Sequence, residues 1–441
     1  MEKKHDFKKY KCAEFLTLEE SHGKVKVKKL YTWMCSAVSD FLQGKGNLEL
    51  QENTERFPMK IFLIYVIFYA GQATYNTYLN LFLRSADFSQ TAIGIVQSVS
   101  TIALVLIQPL WGVLSDKSKS KNQIIGILSL ATALVCLSFY AFQTALWLSL
   151  CVMLFTVFFN PAMTLQDNYS LELLENSRWD FGNVRLGGTV GYAICAMVVG
   201  FLIGEDYSQI FWVMALLFLI TGGMYFTLPR VEGHRKKHEK VKYTVLLKDK
   251  PLVCMLIFNI IYFLGSAFYF QYYPIYFSEE LGASTEMVGI LTFVSTLSEV
   301  PFFWFAHKIE KKLGVEKVML LAGCAVALRW LLLSFVTNHY VIIAVNLLSG
   351  CGYVGFMYCL IKYINNHVPK SMRATAQSLN AILGTIFSRI LFAPLGGILS
   401  DIFNVRVMLL AAGIAMLIGV VYFKLAFPRA VRQQEALQAS N

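Results

Sequence analysis

The chain has 441 residues, 56% of them hydrophobic and only 15% charged, with a formal net charge of +11. A soluble protein carries about 25% charged residues, so this composition indicates an all-α membrane protein with many spans rather than a soluble one. The basic residues sit in short loops between apolar runs, which argues against a nucleic-acid partner.

In chain order, residues 1–58 form a polar tail with eleven Lys/Arg and nine Asp/Glu. It is read as a cytoplasmic tail with a short amphipathic helix at Leu30–Leu42, or as an over-long start before Met34 or Met59. The first apolar run begins near Met59, so no cleavable signal peptide is expected. Twelve stretches of about 20 apolar residues follow, long enough to cross a bilayer. They cover 59–83, 91–114, 122–142, 146–171, 185–204, 209–228, 251–277, 286–306, 315–335, 340–363, 374–399 and 406–427.

Alternate loops differ in charge. Lys117, Lys119 and Lys121; Arg178; the run from Arg230 to Lys250; Lys308, Lys311, Lys312 and Lys317; and Lys370 and Arg373 follow the even-numbered spans. The opposite loops carry little besides Arg84 and Arg406. The positive-inside rule then places both termini and the loop 229–250 in the cytoplasm of a plasma (cell inner) membrane protein. That loop divides the chain into six-helix bundles at 59–228 and 251–427, leaving a cytoplasmic tail at 428–441. A weak echo links the halves: Pro109 with Pro301, and Gly191 with Gly384.

Few ionisable groups lie deep in the spans, where they are expensive and tend to be functional. Glu299 is the acid well inside a span of the second half, with Arg329 and Arg389 as its expected partners. It could carry a proton, or it could form a permanent ion pair that ties helices together. Asp167 and Arg185 could hold a substrate's hydroxyl groups, or close a gate as a salt bridge. Gln72, Asn76 and Asn80, four residues apart, form a polar stripe on the first span that must face the bundle interior. Tyr262, Tyr269 and Tyr273 could stack on a ligand, while Lys362 is expected to snorkel to the cytoplasm. The nine cysteines are scattered, so neither disulfides nor a metal site is expected.

Two motifs carry a family resemblance. The run QPLWGVLSDK, Gln108–Lys117, resembles the loop 2–3 signature of the major facilitator superfamily, in which Gly112 allows close helix approach and Asp116, beside Lys117, forms a conformational latch. In the eighth span Trp304 and Lys308 replace that glycine and aspartate, so the latch is expected in the first half only. The run from Phe181 through Gly182, Arg185, Gly188, Val190, Gly191 and Tyr192 to Ala193, Cys195 and Ala196 resembles the lactose permease group. The resemblance covers residues 59 to about 427. It implies the major facilitator fold, Asp167, Arg185 and Tyr192 on sugar-binding positions, and Arg329 on the group's membrane arginine.

The departures are equally specific. Asn346, Ser349 and Gly352 stand where the group has its proton-handling residues, and the seventh span has no acid. Glu299 in SEVPFFWF and the Arg329–Trp330 pair look closer to the phenylpropionate and nucleoside branches. The resemblance therefore implies a proton-coupled symporter of a small polar solute, a sugar, oligosaccharide or nucleoside, working as a monomer with the proton gradient as its energy source and no cofactor. The alternatives are symport of an aromatic carboxylate and proton-driven efflux. Against efflux, the fifth span lacks the proline of that group's signature, and APLGG at Ala393–Gly397 lies in the wrong half. No hydrolase motif or P-loop argues for an enzyme.

Overall fold

A computed structural model describes residues 57–175, 177–231, 246–369, 372–386 and 388–439. The helix expected at Leu30–Leu42 and most of the basic loop fall outside these residues. The first half consists of α1 (Met59–Ser85), α2 (Gln90–Lys117), α3 (Lys121–Ser138), α4 (Ala145–Leu173), α5 (Phe181–Ile203) and α6 (Ile210–Phe226). The second comprises α7 (Lys250–Glu279), α8 (Thr285–Leu297), α9 (Glu299–Phe335), α10 (His339–Val345), α11 (Leu348–His367), α12 (Arg373–Asn380), α13 (Ala393–Phe403) and α14 (Val405–Ala439). Two π-helical turns, Ala381–Ile386 and Ser388–Phe392, join α12 to α13. Helix starts coincide with side-chain caps: Ser89 accepts from the Ala92 amide at 3.1 Å and Asp249 from the Leu252 amide at 2.9 Å.

Among the described residues, ten helical stretches are long and apolar enough to cross a membrane, against the twelve expected. Thr285–Phe335 counts as one stretch, although Gly314 inside it has a φ of +80° and turns the chain. The polar α1 is not among the ten. The outward faces of the bundle remain apolar, with Leu134 68%, Leu216 60% and Ile418 65% exposed. Such surface is stable against lipid, not water.

Three spans are less regular than their apolar pattern predicts. The eighth breaks at Ser298, whose hydroxyl bonds the Ser295 carbonyl at 2.6 Å. The tenth breaks at Asn346, whose amide bonds the Ile342 carbonyl at 2.8 Å. In both, a polar side chain competes for the helix's own carbonyls. The eleventh carries the π turns.

Helix α1 lies deep in the protein. A Cβ at Gly187 would come within 2.7 Å of the Phe62 carbonyl, and one at Gly191 would overlap the Val66 carbonyl. The glycine-rich face of α5 thus lets two backbones touch. Across α1, Tyr75 stacks on Phe155 at 3.9 Å and Phe68 on Phe159 at 5.0 Å.

Candidate functional site

The close α1–α5 contact brings Arg185 to the α1 face and over Tyr69, with 4.3 Å between guanidinium and ring centre. Asp167, on α4, lies 3.7 Å from Arg185 Nε, and both side chains are about one-third exposed, 33% and 37%. Tyr65 donates its hydroxyl to Asp167 Oδ1 at 2.8 Å. The hydroxyl of Tyr69 is buried with no hydrogen-bond partner among the described residues. Asp167 and Arg185 are therefore loosely paired, oriented by two tyrosines of α1 that sequence reasoning passed over. Their signal was present, since Tyr65 and Tyr69 are spaced i, i+4 and occupy one helix face.

The polar stripe on α1 divides into three environments. Asn76 is exposed although Thr74, Tyr75, Thr77 and Tyr78 around it are buried. An exposed asparagine in the middle of an enclosed helix faces an internal, solvent-reachable space. Tyr192 of α5 adjoins it. Gln72 contacts the Met163 sulfur at 3.6 Å. Asn80 is buried, donates to the Gln271 carbonyl of α7 at 2.9 Å and receives Gln97 at 3.4 Å. Its amide is engaged in joining helices, apart from the space that Asn76 faces.

The second half contributes the other wall. Arg389, in the π turn, is exposed yet lies within electrostatic reach of Tyr75 and Tyr192 of the first half. Glu299 lies within reach of Arg329, Tyr192, Tyr262 and Tyr353. Tyr353 in turn senses Arg185. Asn76, Tyr192, Arg185, Tyr353, Glu299 and Arg389 are thus linked pair by pair beside the central space that Asn76 faces.

Glu299 and Arg329 are electrostatic neighbours without being an ion pair. Among the described residues Glu299 forms no ion pair with Arg329 or Arg389. Arg329 is buried and donates instead to Asn346 Oδ1, from Nε at 3.1 Å and Nη2 at 2.6 Å. Its guanidinium stacks over Tyr269 at 4.1 Å. Asn346 Oδ1 also accepts the Tyr269 hydroxyl at 2.7 Å. The backbone of Glu299 touches the same assembly, because Gly350 packs against Ser298 and the Glu299 amide.

The inner aromatics of α7 are core residues. Tyr262 stacks on Phe356 at 4.6 Å and Tyr269 on Tyr273 at 4.8 Å, all buried. Lys362, expected to snorkel, reaches Glu310 at 3.7 Å. In the expected latch, no neighbouring helix among the described residues comes within 4 Å of where a Cβ of Gly112 would stand. Asp116 and Lys117 are both exposed. The loops near them are the basic ones, and this end of α2 stands apart.

The sequence model of the MFS_1 like family matches residues 58–411. The chain belongs to that family. It is a secondary transporter of the major facilitator superfamily, not an enzyme. The maltose permease of Geobacillus stearothermophilus is 25% identical over 382 residues, covering 85% of this chain and 94% of the permease. The xanthosine permease of Escherichia coli is 23% identical, covering 83% and 94%. The crystal structure of the nucleoside transporter NupG superposes with a TM-score of 0.70 at 19% identity, over 84% of this chain and 98% of that one. The last likeness concerns the fold alone.

Proposed function

We propose that this transporter carries a small polar solute, a sugar, oligosaccharide or nucleoside, into the cell by proton-coupled symport. The observation that carries the reading is the central space, where the exposed Asn76 and the half-open Asp167–Arg185 pair meet the Glu299 side of the second half. A carboxylate and a guanidinium held loosely by tyrosines can accept from and donate to vicinal hydroxyl groups in fixed directions. Maltose and xanthosine, named for two of the relatives, both present such hydroxyls. In this reading Asp167, Arg185, Tyr192, Gln72 and Asn76 bind the solute, and Asn80 bears on it from the α1–α7 joint. Glu299 takes and releases the proton, with Arg329 and Arg389 as the cations that favour release.

The architecture behind this reading is twelve spans in two six-helix bundles, 59–228 and 251–427. The count follows if α1 spans despite its polarity and the chain turns at Gly314. Basic loops after the even-numbered spans then place both termini in the cytoplasm of the plasma membrane. The carrier works as a monomer and uses the proton gradient, without a cofactor.

A second reading has its own support. Arg389 is exposed, lies within electrostatic reach of Tyr75 and Tyr192, and forms no ion pair among the described residues. It could anchor the carboxylate of an aromatic acid. One experiment separates the two: proton flux is followed with a pH electrode in de-energised cells given sugars, nucleosides or aromatic acids in turn. Alkalinisation on adding a sugar or nucleoside, lost in Glu299→Gln, supports the first. Alkalinisation with aromatic acids alone supports the second, and none with any solute rejects symport of these classes.

A further inference from the structure

The eight residues PLWGVLSD, Pro109–Asp116, recur as PLGGILSD, Pro394–Asp401, with Pro, Leu, Gly, Leu, Ser and Asp in the same places. The latch sequence therefore returns in the second half after all, in the eleventh span and not the eighth. The first copy ends α2 beside the basic loops. The second lies in α13, at the opposite end of the bundle, where α13 packs against the N-terminal half of α2. In both copies the serine before the aspartate is buried, its hydroxyl unpartnered among the described residues.

The second copy is engaged. Asp401 Oδ1 accepts from the Gln90 amide at 3.2 Å, and Oδ2 from the Thr91 amide at 2.9 Å and the Thr91 hydroxyl at 2.6 Å. These amides open α2 and have no partner within their own helix, and the carboxylate meets the positive end of the helix dipole. A Cβ at Gly397 would come within 2.5 Å of the Gln90 carbonyl, and one at Gly94 within 2.5 Å of the Ala393 carbonyl. Ser98 donates to the Ile390 carbonyl at 2.6 Å. An antiparallel zipper thus runs from Asp401 through the two glycines to Ile390.

Other joints close the same end. Arg84 holds Glu279 at 2.9 Å between α1 and α7, and a Cβ at Gly289 of α8 would come within 2.6 Å of the Ala196 carbonyl on α5.

The first copy is idle. Space lies open over Gly112, and Asp116 is exposed without a hydrogen bond or ion pair among the described residues. The apolar Leu106, Leu110, Val113 and Leu114 leading to it are exposed as well.

We propose that Asp401 is a second latch, at the end away from the basic loops: it caps α2 while that end is closed and releases it when that end opens. Opening therefore gives up one helix cap, and the strength of that cap sets how far a bound solute must tip the two states. The proposal rests on the transporter reading above, with the two ends of the bundle opening in turn.

The test places a cysteine at Asn76 and measures its labelling by a membrane-impermeant maleimide in right-side-out and inside-out vesicles, against the unmodified chain. Labelling from the basic-loop face is expected for the parent. Asp401→Asn and Gly397→Ala should each raise far-face labelling about fivefold, the scale of one lost helix cap, and Asp401→Glu should restore the parent pattern. Unchanged far-face labelling in both Asp401→Asn and Gly397→Ala overturns the latch. The readout needs no solute, so a chain that moves protons with sugars yet shows none of these shifts loses the latch alone. A chain with the shifts but no solute-driven proton flux loses the symport reading alone.

Discussion

Arg329 rests on the neutral amide of Asn346, 2.6 Å from Nη2 to Oδ1, with no carboxylate in ion-pairing distance among the described residues. The guanidinium donates twice to Asn346 and lies within electrostatic reach of Glu299. Truncation at Asn346→Ala leaves the Arg329 charge and the Tyr269 hydroxyl buried without their acceptor. That should lower stability by about 3 kcal/mol, visible as a fall in the detergent-solubilised Tm. Asn346→Asp, which keeps the shape and supplies an anion, should fold as well as the parent. A Tm for Asn346→Ala equal to the parent's would show that the amide does not hold the arginine.

Asn76 and Asn80 look alike in sequence and should behave differently. Asn76→Leu is expected to weaken solute binding about tenfold or more, the scale of a lost hydrogen bond plus an obstructed site, with little change in Tm. Asn80→Leu breaks the bond to the Gln271 carbonyl and should lower Tm while changing affinity less. Equilibrium binding and thermal unfolding on the same preparations check both arms, and identical profiles would contradict the division.

Tyr65 orients Asp167 by a 2.8 Å bond, so Tyr65→Phe should loosen the carboxylate without removing it. The expected loss of solute affinity is about threefold to tenfold, that of one side-chain hydrogen bond. Asp167→Asn should lose more, because the acceptor then carries no charge. An unchanged affinity in Asp167→Asn would point to a gate and not a binding group.

A Cβ at Gly191 would overlap the Val66 carbonyl. Gly191→Ala forces α1 and α5 apart and should destabilise by about 1–3 kcal/mol, as overpacking does. Folded yield and Tm report it, and a milder loss is expected from Ala at Gly182, which has no atom within 4 Å of its Cβ position.

Much of the site was legible because its residues break rules that lipid imposes. Glu299, Asp167 and Arg329 stood out as charges where charge is costly, and Asn76 as part of a polar stripe on the first span. Tyr65, Tyr69, Tyr353 and Asn346 did not stand out. A tyrosine or an asparagine in a span has an ordinary reading as core or helix glue, and its role depends on what reaches it from another helix.

The sequence by itself determined the class of fold, the apolar runs, the alternation of basic loops and the family. These are properties of single segments: a helix in lipid needs only its own length and hydropathy, and a loop's charge needs no partner. Tertiary structure alone decided which polar groups meet. It separated Asn80 from Asn76, seated Arg329 on Asn346 within electrostatic reach of Glu299, and left Asp116 idle while Asp401 caps α2. Those outcomes depend on where small residues let two backbones touch, as Gly191 does at Val66 and Gly397 at Gln90, and on which end of the bundle is closed.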